Sequence, residues 1–216
     1  MSDEAIIVER HETLRGDIQL QYRNAHYEII SNGTFLMATH NGESERFMVQ
    51  ASLEQAPHPE KILIGGLGVG FSLAEALHDP RVKEVVVVEV EDRIIEWNRS
   101  YLAPFSNHAL SDHRTRVEHA DLIEWMETTE ETFDAICLDI DNGPDWTVTE
   151  SNGTLYEEEG LHTLSRLVRP QGIAAFWSAN ASPAFVERME RHFKEVEAYE
   201  IPVQRGEPDI VYIGKA

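Results

Sequence analysis

A chain of 216 residues suffices for one α/β domain with a full core and a small appendage, and falls short of two large domains. Its 39 acidic residues against 18 Lys and Arg leave a formal charge of −21. That field repels phosphate backbones and anionic lipid surfaces, which argues against nucleic acid and membranes as partners, and it attracts cations, amines among them.

The start of the chain shows no basic stretch followed by a long apolar one, and no run approaches membrane-spanning length, so the expected location is cytoplasmic. The single Cys137 lies in the apolar run Ala135-Ile136-Cys137-Leu138, reads as a core residue and leaves no internal disulfide to form.

Two regions follow one another. Residues 1–56 read as an N-terminal antiparallel β extension with a linker helix. Short strands are predicted at 18–22, 27–30 and 35–37, with Ser31-Asn32-Gly33-Thr34 as a hairpin turn. Phe47, Met48, Ala51 and Leu53 then recur at helical spacing over 45–55, closed by Pro57 and Pro59. Residues 57–216 alternate apolar strands with amphipathic helices. Strands are predicted at 61–64, 85–88, 116–119, 135–138 and 173–177, with helices around 71–77, 93–97, 161–167 and 184–192. A closing hairpin of strands 196–201 and 210–213, separated by a turn over 204–208, makes the last strand antiparallel. The pattern predicts an α/β fold with a doubly wound, mostly parallel seven-stranded sheet.

Chemistry in such sheets sits beyond the carboxyl ends of the strands. The first end reads Gly65-Gly66-Leu67-Gly68-Val69-Gly70, where Gly66, Gly68 and Gly70 permit a tight bend and close approach of a ligand to a helix start. A ligand-free strand–helix contact and a nicotinamide dinucleotide site are the competing readings, although the last glycine interval holds one residue instead of two. Glu89 ends the second strand, where a carboxylate can accept from both hydroxyls of a ribose, or simply face water. Asp121 follows the third strand; it suits the exocyclic amine of adenine, the N-cap of the next helix, or both. Asp139, Asp141 and Asp145 crowd the end of the fourth strand. There a carboxylate could orient an amine or remove its proton, against the alternatives of a solvated acidic turn or a metal site. No metal is expected, because the 10 histidines are scattered.

With these residues in view, the chain resembles the polyamine aminopropyltransferases, the spermidine synthase family, over nearly its whole length. The resemblance rests on the glycine bend, Val88-Glu89-Val90-Glu91, Ala120-Asp121, Asp134-Ala135-Ile136-Cys137-Leu138-Asp139 and Leu167-Val168-Arg169-Pro170-Gln171-Gly172. It implies a Rossmann-like, methyltransferase-type fold in which Glu89 holds the ribose, Asp121 contacts the adenine, and Asp139 borders the amine site at the base of a gatekeeping loop over 140–155. It also implies a homodimer formed through the N-terminal region.

Three departures stand beside the matches. The aspartate that the family places in the bend falls on Gly68, the catalytic aspartate three residues beyond Asp139 falls on Asn142, with Asp141 next to it, and the Tyr-His-Glu segment has no clear match in Phe47-Met48-Val49-Gln50. Loss of the charge at Gly68 removes a barrier to ordinary S-adenosylmethionine. The expectation is therefore an S-adenosylmethionine-dependent transferase acting on a small-molecule acceptor, with methyl transfer ranked first. Aminopropyl transfer from decarboxylated S-adenosylmethionine to a diamine, using Asp139 and Asp141, is the alternative, and a non-catalytic nucleoside-binding module is the third reading.

Overall fold

The computed structural model describes residues 4–147, 149–203 and 206–216. Four strands, β1 (Ile6–Thr13), β2 (Gly16–Arg23), β3 (His26–Ser31) and β4 (Thr34–Ala38), form an antiparallel meander. The sequence predicts only three of them. β1 escapes because a register shift between Ile7 and Glu9 breaks its alternation, so the apolar-polar period of two never becomes legible.

The helix α1 (Glu43–Gln55) leads into the α/β unit: β5 (Lys61–Gly65), α2 (Phe71–His78), β6 (Glu84–Glu89), α3 (Asp92–Arg99), β7 (Thr115–His119), α4 (Leu122–Thr128), β8 (Phe133–Leu138), α5 (Glu158–Leu167), β9 (Val168–Ser178), α6 (Pro183–Met189), β10 (Glu195–Ile201) and β11 (Asp209–Lys215). The strands make one seven-stranded sheet in the order β10-β11-β9-β8-β5-β6-β7. β8, β5, β6 and β7 run parallel with β9, and β11 and β10 close the edge in antiparallel pairing, as the alternation of elements predicts. β9 begins earlier than the predicted 173: residues 168–172 are already strand, with Gln171 at φ 65 and a register shift against β8. Part of the expected 204–208 turn lies outside the described residues.

The sheet is covered on both faces, which is why its strands read as continuous apolar runs. Val85 and Val87 of β6 pack with Met48, Leu73 and Ile94 in one layer, while Val86 and Val88 pack with Leu122, Leu164 and Phe185 in the other. A fully buried Val or Leu contributes about 1.5–3 kcal/mol, whereas a surface ion pair contributes about 0–1 kcal/mol. The two apolar layers therefore hold the carboxyl edge in place. Among the described residues no helix is long and apolar enough to cross a membrane.

Candidate active site

The order reversal of the sheet falls between β5 and β8, and there the glycine bend meets Asp139. Gly66 has φ +87, and a Cβ on it would collide with the Asp139 carbonyl oxygen. The Asp139 N–H in turn donates to the Gly65 carbonyl at 2.9 Å. Only a residue without a side chain, in the left-handed region, lets β5 turn into α2 this close to β8. Gly68 has φ +51, and a Cβ on it would lie 2.6 Å from Met37 Sδ. The thioether also accepts the Val69 N–H at 3.0 Å, so β4 of the N-terminal sheet closes over the bend. Gly70, at φ 90, caps α2.

Glu89 is buried at the end of β6. Its Oε2 accepts the Leu67 N–H at 2.8 Å, and its Oε1 accepts the Val90 and Glu91 N–H groups at 2.8 Å each. Burial raises its pKa, opposed by these three backbone donors. An ionised carboxylate offers about four lone-pair sites, so three are filled and one remains for a ligand hydroxyl. Asp121 leaves the neighbouring strand, β7, which pairs Glu89 with His119. It caps α4: Oδ1 accepts from Ile123 N at 2.9 Å and Glu124 N at 3.4 Å. Its Oδ2 lies 3.9 Å from Arg15 Nη2. Glu89 and Asp121 thus share one edge of the sheet, each with a structural duty, Glu89 through both of its oxygens and Asp121 through Oδ1.

Asp139 follows β8. Among the described residues no donor is recorded for its carboxylate. Although part of the residue stays accessible, loss of solvent around the carboxylate, followed by the negative charges of Glu45 and Asp209, pushes its pKa well above the ordinary range. Glu45, on the first turn of α1, is 6% exposed, and burial raises its pKa as well, with Asp209 adding to the rise. Ser44 Oγ bridges the two, at 2.9 Å from Glu45 Oε2 and 2.7 Å from Asp209 Oδ2, and it accepts the Trp177 indole N–H at 3.0 Å. Tyr156 lies buried below; desolvation first, then Asp141 and Asp139, raise its pKa. The result is a set of acidic groups that act on one another, Glu45 from α1, Asp139 at the end of β8 beside the glycine bend, and Asp209 from β11. Among the described residues no three His, Cys, Asp or Glu side chains are arranged to hold a metal ion.

Asp141 is turned into its own loop. Its Oδ1 accepts the Asn142 N–H at 2.8 Å, and its Oδ2 accepts from Thr149 N at 3.1 Å and Asn152 Nδ2 at 2.8 Å. The Asn142 carbonyl accepts Ala179 N at 3.0 Å, and Asp145 takes the Ser182 hydroxyl at 2.8 Å. Of the residues singled out in the sequence, Gly66, Gly68, Gly70, Glu89, Asp121 and Asp139 gather along one edge, and Asp141 fastens the loop over it. Sequence reasoning misses Ser44, Glu45, Trp177 and Asp209, since a single acid among 39 carries no local signal until the fold brings it to Asp139.

Known proteins share this domain and this fold. Residues 43–203 match the sequence model of the spermine/spermidine synthase domain. The polyamine aminopropyltransferase of Saccharolobus solfataricus is 30% identical over 114 residues, 53% of this chain and 37% of that protein. Polyamine aminopropyltransferase 2 of Ralstonia nicotianae is 28% identical over 143 residues, 65% of this chain and 27% of that one. The matched stretches thus span little more than a third of these relatives at most. The fold matches a spermidine synthase solved with the transition-state analogue AdoDATO, with TM-score 0.82, 18% identity, and coverage of 97% of this chain and 73% of the other. The spermidine synthase of Thermotoga maritima matches with TM-score 0.80 at 18% identity, over 97% and 72% of the two chains.

These matches correct the ranking of methyl transfer, because both the domain and the relatives are of the aminopropyl-transferring kind. That ranking rests on one missing charge at Gly68 alone. Since the domain match runs from the helix carrying Glu45 past the end of β10, this chain belongs to the spermine/spermidine synthase family.

Proposed function

We propose that the chain transfers an aminopropyl group from decarboxylated S-adenosylmethionine to a cationic diamine or polyamine. The observation that carries this reading is Asp139, set beside the glycine bend and in the field of Glu45 and Asp209. Asp139 and Glu45 have lost solvent and stand in the field of Asp209, an unfavourable arrangement when empty that an ammonium group relieves.

The chemistry follows from the charges. The donor nucleoside lies along Glu89 and Asp121 with its sulfonium toward the bend. One ammonium of the acceptor is held by Glu45 and Asp209, and the other end faces Asp139. An aliphatic ammonium has a pKa of about 10.4 and an ordinary aspartate about 3.9. Each unit by which Asp139 is raised lowers the cost of proton transfer by about 1.4 kcal/mol. With the proton on Asp139, the amine nitrogen attacks the donor's aminopropyl carbon in line. The N–C bond forms, the C–S bond breaks, and its electron pair stays on sulfur in neutral methylthioadenosine. Asp141 acts by fastening the loop over the pocket.

A homodimer through the N-terminal sheet accompanies this reading, supported by exposed Ile6, Ile7, Phe35 and Leu36 on its outer strands. So does a division at residue 56 between that appendage and the nucleoside-binding unit, and a cytoplasmic location, which suits a chain with one buried thiol.

The test is release of methylthioadenosine, followed by mass spectrometry, from decarboxylated S-adenosylmethionine with and without a panel of diamines and polyamines. Release that depends on the amine is expected. Binding of the nucleoside with no release for any amine would replace the enzyme by a binding module.

A further inference from the structure

We propose that the tip of the β1–β2 hairpin roofs the nucleoside site and that Arg15 contacts the purine base of the donor. This rests on the donor reading above.

The tip is the two-residue turn Leu14-Arg15, and its side chains reach across to the ends of two strands of the other sheet. Thr13 Oγ1 donates to Glu91 Oε1 at 3.2 Å. Arg15 Nη1 donates to the Val90 carbonyl at 3.4 Å, one residue beyond Glu89. Arg15 Nη2 lies 3.9 Å from Asp121 Oδ2, the oxygen that α4 leaves unused. The guanidinium therefore spans the gap between the residue after the ribose carboxylate and the base carboxylate. At 42% side-chain exposure it is not packed away, so a face remains for a ring.

A hairpin tip in solvent ordinarily frays. This one is laced to the β3–β4 turn: Asn32 Nδ2 donates to the Arg15 carbonyl at 3.0 Å, Asn32 Oδ1 accepts the Asp17 N–H at 2.9 Å, and the Asn32 N–H donates to the Asp17 carbonyl at 2.8 Å. Gly16 makes room for this, since a Cβ there would collide with Asn32 Oδ1. The backbone beneath Arg15 is thus fixed from a second turn while its side chain points over the carboxyl edge. A planar, weakly hydrated guanidinium stacks on an aromatic ring and pairs with a carboxylate at the same time. Arg15 can cover the purine and keep Asp121 Oδ2 turned toward the exocyclic amine.

The experiment is calorimetric titration with methylthioadenosine and with methylthioinosine, which carries a carbonyl in place of the amine. The proteins are wild type, Arg15→Ala, Arg15→Lys and Asn32→Ala, with thermal melts to verify folding. Arg15→Ala should weaken methylthioadenosine binding about 5- to 30-fold and shrink the preference for adenine over hypoxanthine. Arg15→Lys should recover part of the loss, and Asn32→Ala should lose affinity with Arg15 still present. Unchanged or tighter binding by Arg15→Ala overturns the inference, as does a lowered melting temperature with the base preference intact. If wild type itself takes up no methylthioadenosine, the donor reading falls first and this one with it.

Discussion

Glu89 and Leu67 are joined by a 2.8 Å hydrogen bond in which the strand-end carboxylate accepts the backbone N–H of the glycine bend. The residue proposed to hold a ribose therefore also rivets β5 to β6. Replacing it disturbs the protein before any ligand arrives. Glu89→Ala would leave three N–H groups without this acceptor, that of Leu67 buried and those of Val90 and Glu91 part-buried, at about 1–3 kcal/mol each for those that water cannot reach. Urea unfolding should show a loss of at least about 2 kcal/mol together with loss of nucleoside binding. Weakened binding at unaltered stability would show that water replaces the carboxylate there.

Asp139 gives the opposite sign. Its folded pKa is raised, so its contribution to stability is fully present below the ordinary carboxylate range and is lost as pH rises through the folded value. Above the raised value the ionised group is a liability in the empty protein. Asp139→Asn should stabilise the empty chain at pH 7 by on the order of 1 kcal/mol while abolishing turnover. The stability gap between variant and wild type should begin to shrink as pH falls through the raised pKa and vanish below the ordinary carboxylate range. A gap that widens toward acid would contradict the assignment. Asp112 runs the other way: Arg114 holds its pKa down to about 2, so its stabilisation is lost only in strong acid.

Met37 stands where a side chain at position 68 would project. Gly68→Asp alone should cost about 1 kcal/mol or more as Met37 gives way and Val69 loses its thioether acceptor. Combined with Met37→Ala, the same substitution should raise the preference for decarboxylated over ordinary S-adenosylmethionine about tenfold, because a carboxylate beside the donor tail favours an ammonium there and repels a carboxylate. Competitive binding of the two sulfonium compounds checks this, and an unchanged ratio would remove position 68 from the donor tail.

Asp141 gathers Asn142, Thr149 and Asn152. Asp141→Ala should leave the melting temperature within a few degrees, raise the KM for the amine several-fold and speed proteolysis within residues 142–155. An essentially complete loss of kcat at unchanged KM would instead make Asp141 a participant in the chemistry.

The strands of the larger sheet and the residues at their carboxyl ends were legible because burial on both faces writes itself as short apolar runs such as Val85-Val86-Val87-Val88, and ligand-bearing side chains sit at the point where such a run stops. Periodicity is a local property, so β1 was hidden by a one-residue register shift, and the start of β9 by a Pro-Gln-Gly segment that reads as a turn.

Chain order alone determined the doubly wound fold, the glycine bend and the edge occupied by Glu89, Asp121 and Asp139. Tertiary structure decided what those groups do. Only folding brings Glu45 of α1 and Asp209 of β11 into the field of Asp139, lays Met37 on Gly68 and swings Arg15 over Asp121. The physical reason is range: secondary structure follows from neighbours a few residues apart, whereas pKa and recognition follow from charges and burial set by residues far apart in sequence.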